Sequence, residues 1–208
     1  MTESASSRPS FASALSTEPD PLDAARAAAD RVQLQLGGRS PTVAVVFATP
    51  ELCDEAAGMA DEIQTALSPE HMIGAMTETP LSGARELEDA GGLSLWAAHL
   101  PGVTPAPLRL LAVQEDDDRI AVVDHSEIPL AEASPALLVA DPFTFPVDAL
   151  LAQMNRIDSP PTVVGGLASG GRGPGEHVLF SDGGVVREGA VGVALVGAEM
   201  TPVVSQGC

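Results

Sequence analysis

Lysine is absent from this 208-residue chain, so its ten basic residues are all arginine. That removes Schiff-base lysines and phosphate-loop lysines from the available chemistry. Tyrosine is absent too, tryptophan occurs once, and aromatics make up 3% of the residues. A stacking platform for nucleobases cannot be built from so few rings. Positive charge is scarce overall: the formal net charge is −19, and such a surface repels phosphate backbones and anionic lipid. Nucleic acid and membrane surfaces are therefore not expected as partners. Two cysteines, Cys53 and Cys208, make no disulfide framework and fit a reducing compartment. No apolar run approaches the roughly 20 residues of a spanning helix, and no basic-then-apolar leader opens the chain. The expectation is a cytoplasmic protein. Paired Cys or His motifs are also missing, so neither a metal nor another cofactor is expected.

What is present is a hydrophobic content of 45%, enough for a core of Val, Leu, Ala and Ile. Residues 1–17 are Ser-rich and poor in large apolar side chains, and read as a disordered tail. Asp20-Pro21 opens a helix, with Asp20 as cap, Pro21 in the first turn and Gly37-Gly38 as the stop. The run Thr42–Ala48 is continuously apolar, as in a strand covered on both faces. A second helix starts at Pro50-Glu51, with Leu52, Ala56, Met59, Ile63 and Leu67 on one stripe. Cys53 lies just off that stripe and reads as a buried thiol. His71–Thr77 forms the next strand, parallel to the first across a right-handed crossover.

Residues 80–92 read as a polar, acidic connection, followed by a strand over 92–100. Pro101, Pro105 and Pro107 mark a stiff loop before a strand over 108–113. The stretch 114–128, with Glu115-Asp116-Asp117-Asp118, reads as a solvated acidic loop, since it lacks the spacing of a calcium loop. Ala136–Ala140 is a buried strand ending in Asp141. Pro146 opens a helix with Val147, Leu150, Leu151, Met154 and Ile157 inward, and Pro160-Pro161 closes it. Thr162-Val163-Val164 then enters a glycine cluster, Gly165-Gly166-Leu167-Ala168-Ser169-Gly170-Gly171-Arg172-Gly173-Pro174-Gly175. Here positive φ and close approach of another group become available. Turns at 182–184 and 188–189 divide the remainder into an antiparallel meander.

The paired glycines of Gly165–Ser169, the strand Gly189–Leu195 with Gly197, and the order strand–Asp–helix–strand–Gly-Gly resemble the FIST N-terminal domain. The likeness covers roughly 42–197. It implies an α/β fold with a mixed sheet, βαβ crossover units, packed helices and a C-terminal meander, spanning residues 18–208. It also implies an intracellular signal-transduction sensor for a small ligand, such as an amino acid or its derivative. In the family, a segment like Ser205-Gln206-Gly207-Cys208 leads into a C-terminal half. That half is therefore expected to be absent here and to be a partner, if another protein is one.

A zwitterionic ligand needs backbone donors, a cation and an acid. Gly165, Gly166 and Ser169 are expected to supply the loop, Arg172 to pair a carboxylate, Asp141 to meet an ammonium, and Thr144 to lie beside it. Open sheets place ligands at such carboxyl ends of adjacent parallel strands. The alternatives are a hydrolase using Ser169 or Thr144, and a ligand-free interaction scaffold. No catalytic constellation is expected. Leu167-Ala168-Ser169-Gly170-Gly171 lacks the first glycine of a nucleophile elbow, and the four histidines have no triad spacing.

Overall fold

The computed structural model describes residues 8–87, 90–116, 119–182 and 184–204. Its centre is two βαβ units. In the first, strand β2 (Val43–Ala48) leads through a 3-10 turn (Pro50–Glu55) and helix α2 (Ala56–Leu67) to the parallel strand β3 (His71–Met76). In the second, β9 (Ala136–Ala140) leads through α3 (Val147–Met154) to the parallel strand β10 (Val163–Leu167). Both crossovers are where the sequence places them.

The first unit belongs to a six-stranded sheet in the order β1-β6-β2-β3-β11-β12, where β1 is Ser10–Ser16, β6 Leu93–His99, β11 Leu179–Ser181 and β12 Gly184–Val186. The second belongs to a five-stranded sheet, β10-β9-β13-β7-β8, with β13 at Ala190–Val196, β7 at Thr104–Asp116 and β8 at Arg119–Asp124. A small hairpin, β4 (Leu81–Ser82) with β5 (Arg85–Glu86), stands apart within the expected acidic connection. Glu88 and Asp89 of that connection lie outside the described residues.

Side-chain alternation along the strands divides the core into layers. Ala44, Val46 and Ala48 face α2 and the N-terminal helix α1 (Pro21–Gln35), while Val43 and Val45 face the other sheet. In the second unit Ala136, Leu138 and Ala140 face α3, and Val139 and Leu137 face back. The result is helices, sheet, sheet, helix. α1 is capped as expected: Leu22 N–H and Asp23 N–H both donate to Asp20 Oδ1 at 3.0 Å. Its inner face is alanine (Ala24, Ala25, Ala28, Ala29), which lets the helix lie close to the sheet. Among the described residues, no helix is long and apolar enough to cross a membrane.

The two halves repeat one arrangement. The order β1-β6-β2-β3 of the first sheet is matched by β7-β13-β9-β10 in the second. The registers match as well: Ala48 faces Leu93 and Leu93 faces Ser16, just as Ala140 faces Ala190 and Ala190 faces Leu110. A hairpin precedes the last strand in each half, β4–β5 in one and β11–β12 in the other. β11–β12 leaves its own half and pairs with β3 of the first sheet. The C-terminal part is thus antiparallel throughout, divided between the two sheets.

Five expectations need correction. Residues 10–16 of the expected disordered tail form β1. Its small side chains Ala12 and Ala14 are buried against the helices, and Phe11 stacks on Trp96 at 6.1 Å; residues 1–7 lie outside the described residues. Pro105 and Pro107 sit inside β7 rather than in a loop. On β7 the Arg109 N–H donates to Ser126 Oγ and its carbonyl accepts from His125 N–H, so odd-numbered residues point away from β13. The prolines share that parity, and their missing N–H groups cost the ladder nothing. The acidic stretch 114–128 carries the β7–β8 hairpin, whose Val122 packs on the core below α3; Asp117 and Asp118 lie outside the described residues. In α3 Leu150 is buried and Val147 and Met154 pack partly buried on the same core as expected, but Leu151 is half exposed. Finally, Gly165 and Gly166 belong to β10, paired with Leu138 and Val139, rather than to a turn. The parallel ladder carries the extended backbone straight through them.

Candidate functional site

The carboxyl end of β9 is closed by Asp141. Its side chain is fully buried, and its hydrogen-bond partners among the described residues all belong to the fold itself. Oδ1 accepts from Phe143 N–H at 3.1 Å and from His177 Nδ1 at 2.9 Å, and Oδ2 accepts the Thr144 hydroxyl at 2.5 Å. His177 is equally buried. Its Nε2 accepts from Gly171 N–H at 3.1 Å, which places the ring hydrogen on Nδ1, facing Asp141. Phe143 stacks on the same imidazole at 5.6 Å. Thr144 Oγ1 also accepts from Gly189 N–H at 2.9 Å. This network ties the β9–α3 turn, the glycine loop and the start of β13 together. Asp141 is turned to His177, not to a solvent-filled cleft.

Ser169 joins the two sheets. Its N–H donates to the Met76 carbonyl at 3.0 Å, and its Oγ accepts from Glu78 N–H at 3.0 Å. Neither Ser169 Oγ nor Thr144 Oγ bonds a histidine. Arg172 is exposed, with its backbone N–H on Glu176 Oε2 at 2.7 Å. Positive φ occurs within the cluster, at Gly170 (96°) and Gly175 (81°), and not at Gly165 or Gly166. Asp141 and Thr144 therefore come together, Ser169 bridges the sheets, Arg172 stands at the surface, and Gly165 and Gly166 form a wall.

That wall separates two clefts. One, of about 420 Å³, opens between the sheets, with Val45, Phe47, Ile73 and Trp96 on one side and Leu137, Val139 and Val164–Leu167 on the other. Among the described lining residues Thr77 brings the only side-chain hydroxyl, and none is ionisable. The other, of about 410 Å³, lies between β10 and α3, against Phe145, Leu150, Leu151 and Met154. Even-numbered residues of β10 face the first cleft, since Ala168 joins the inter-sheet core; Val163 faces the α3 side.

A third hollow, of about 560 Å³, lies beside Thr144, Arg109, Arg187 and Glu188. Its cations are largely engaged. Arg109 Nη1 donates to the carbonyls of Glu188 (2.9 Å) and Ala190 (3.1 Å), and Arg187 Nη1 to that of Gly175 (3.2 Å). Burial also pulls the Arg109 pKa below its ordinary value. Cys53 is buried under β2, and burial pushes its thiol up to about 12.

Sequence reading missed His177, which lies 36 residues from Asp141, and the sheet residues that line the inter-sheet cleft. No local spacing marks either: one depends on loop closure, the other on two sheets meeting.

The family model for the FIST N domain matches residues 42–208. An uncharacterized protein of Mycobacterium tuberculosis (strain H37Rv) is 32% identical over 194 residues, covering 93% of this chain and 50% of that protein. An uncharacterized protein of Mycobacterium bovis is 34% identical over 193 residues, covering 92% of this chain and 49% of its own length. The chain spans about half the length of the curated relatives it matches. The similarity to them covers more of the chain than residues 42–208 and takes in α1 as well as the matched domain. On the family match, the chain belongs to the FIST family, a family of signal-transduction sensors.

Proposed function

We propose that this chain is a sensory domain whose small ligand enters the cleft between the two sheets. The observation that carries this reading is the cleft itself: about 420 Å³, walled by apolar side chains and strand backbone, with one hydroxyl and no charge. Ligand sites have this size and character. A free zwitterion would lose its hydration there without a counter-ion, which is costly. The favoured ligand is therefore an amino-acid derivative whose charges are masked, with an apolar side chain and an amide or acyl group within reach of Thr77.

A hydrolase built on Ser169 or Thr144 draws less support, because the Ser169 oxygen serves Glu78 and the Thr144 hydroxyl serves Asp141 and Gly189. Cytoplasmic localisation belongs to the same proposal, as the setting of a sensor with a buried, unpaired thiol.

The test is a thermal-shift panel of free amino acids against their N-acetyl amides. A ligand at about 100 times Kd stabilises the fold by roughly 2.7 kcal/mol. The shift is expected for N-acetyl amides of Leu or Phe, and is expected to vanish in Gly166→Leu. Nothing lies within 4 Å of a Cβ built on Gly166, so the backbone admits a side chain there, and on the even-numbered face of β10 it projects into the cleft. A shift with free amino acids alone, or one untouched by Gly166→Leu, contradicts the proposal.

A further inference from the structure

The two βαβ units differ at one edge. On β3 the outer edge is occupied: Met76 N–H donates to the Val178 carbonyl at 2.8 Å, and Phe180 and Leu179 stand opposite Gly74 and Ala75. Phe180 enters the helix-side core and Leu179 the inter-sheet core. On β10 the corresponding edge carries no partner strand among the described residues, since β10 ends the five-stranded sheet. Ala136 N–H donates to the Thr162 carbonyl, and Ala168 N–H to the Ala140 carbonyl. Bonding in a parallel pair alternates along the strand. Val163, Gly165 and Leu167 therefore turn their N–H and C=O groups outward.

Edges of this kind are normally blunted by charge, proline or a bulge. β10 has none of these, and residues 159–171 carry no charged side chain in a chain of net charge −19. Val164 is 39% exposed and Leu167 48%. Moreover, an uncharged cleft opens on each face of β10, in the positions that Phe180 and Leu179 take up beside β3.

The geometry points to a strand-addition site: the free edge of β10 takes an antiparallel β-strand with bulky apolar side chains. The residue opposite Gly165 enters the cleft against α3, and its neighbour closes the mouth of the inter-sheet cleft. Strand addition of this type draws affinity from the backbone and specificity from alternate side chains. The relatives are about twice as long as the region matched here, and the polypeptide making up their remaining length is the source to which we assign the strand. This inference goes beyond the small-ligand reading and stands without it.

The probe is a fluorescein-labelled peptide copying residues 176–182, the segment that occupies the twin edge. Polarisation is expected to show saturable binding, and hydrogen exchange at least about tenfold protection of the Val163, Gly165 and Leu167 amides, not of 72–76. N-methylation at the peptide's copy of Phe180, whose N–H faces the edge, is expected to weaken binding at least tenfold, and at the copy of Leu179 to spare it. Leu167→Pro removes an outward N–H only, and is expected to weaken binding similarly while circular dichroism stays unchanged. Absent binding, equal effects of the two N-methyl groups, or protection elsewhere overturns the site. Protection of 163–167 without peptide, in step with dimer formation, assigns the edge to a second copy and overturns the proposal.

Discussion

Gly74 and Gly165 hold the same place in the two βαβ units. Each lies two residues before its strand ends, in register with Val46 or Leu138, and a Cβ built on either would overlap the carbonyl oxygen of that partner. Both glycines answer a close approach of neighbouring backbone. They differ in what lies on their far side among the described residues: Gly74 has β11, Gly165 an open edge.

This pair gives a direct stability comparison. Gly165→Ala and Gly74→Ala are each expected to lose about 1–3 kcal/mol by urea unfolding, as overpacked sites do. Gly74→Ala should lose more, because its strand is paired on both sides. Gly166→Ala should stay within about 0.5 kcal/mol of the parent.

The Asp141–His177 pair is expected to hold the glycine loop in place. His177→Ala leaves a fully buried carboxylate short of a partner, at a cost of about 3 kcal/mol or more. Hydrogen exchange should quicken first at Gly171, whose N–H loses its acceptor. Thr144→Val should cost about 1–3 kcal/mol, since the Gly189 N–H is left unpaired.

Cys53 is expected to be inert in the folded chain. In a Cys208→Ser background, its reaction with an aromatic disulfide reagent at pH 8 should wait for unfolding. The linked pH effect follows from the raised pKa. The neutral thiol favours the fold below its ordinary value of 9.0, and this contribution is lost as pH rises through 9 toward 12. Cys53→Ala should flatten that alkaline decline.

Deleting residues 1–16 removes β1 and bares an edge of β6. The expected cost is at least about 2 kcal/mol, read as a Tm lower by at least about 4 °C. A Tm unchanged by the deletion would show that β1 adds nothing to the sheet.

The crossover units were legible because each joins a continuous apolar strand to a helix with a marked start. Asp20-Pro21 and the stripe Leu52, Ala56, Met59, Ile63, Leu67 carried their signals locally, and all five stripe residues are buried. Gly165-Gly166 looked like a turn, since paired glycines signal one unless a neighbouring strand holds them extended. β1 is written in Ser and Ala, whose strand character comes from pairing with β6. Pro105 and Pro107 looked like breakers because the parity of β7 is set by its partners. The repeat was hidden too: Ala44-Val45-Val46-Phe47-Ala48-Thr49-Pro50 and Ala136-Leu137-Leu138-Val139-Ala140-Asp141-Pro142 occupy the same places, but their three identities are two alanines and a proline, residues too common to mark a repeat. At the site, Asp141 and Thr144 were found as neighbours, but the role of Asp141 depends on His177, which folding alone brings near.

The most direct test of the central claim is methyl NMR during titration with N-acetyl-leucinamide. Shifts are expected at Val45, Ile73, Leu137, Val139 and Val164, which line the inter-sheet cleft, and are expected to be lost in Gly166→Leu. Shifts confined to residues around Arg109 and Arg187, or shifts that persist in Gly166→Leu, would contradict it.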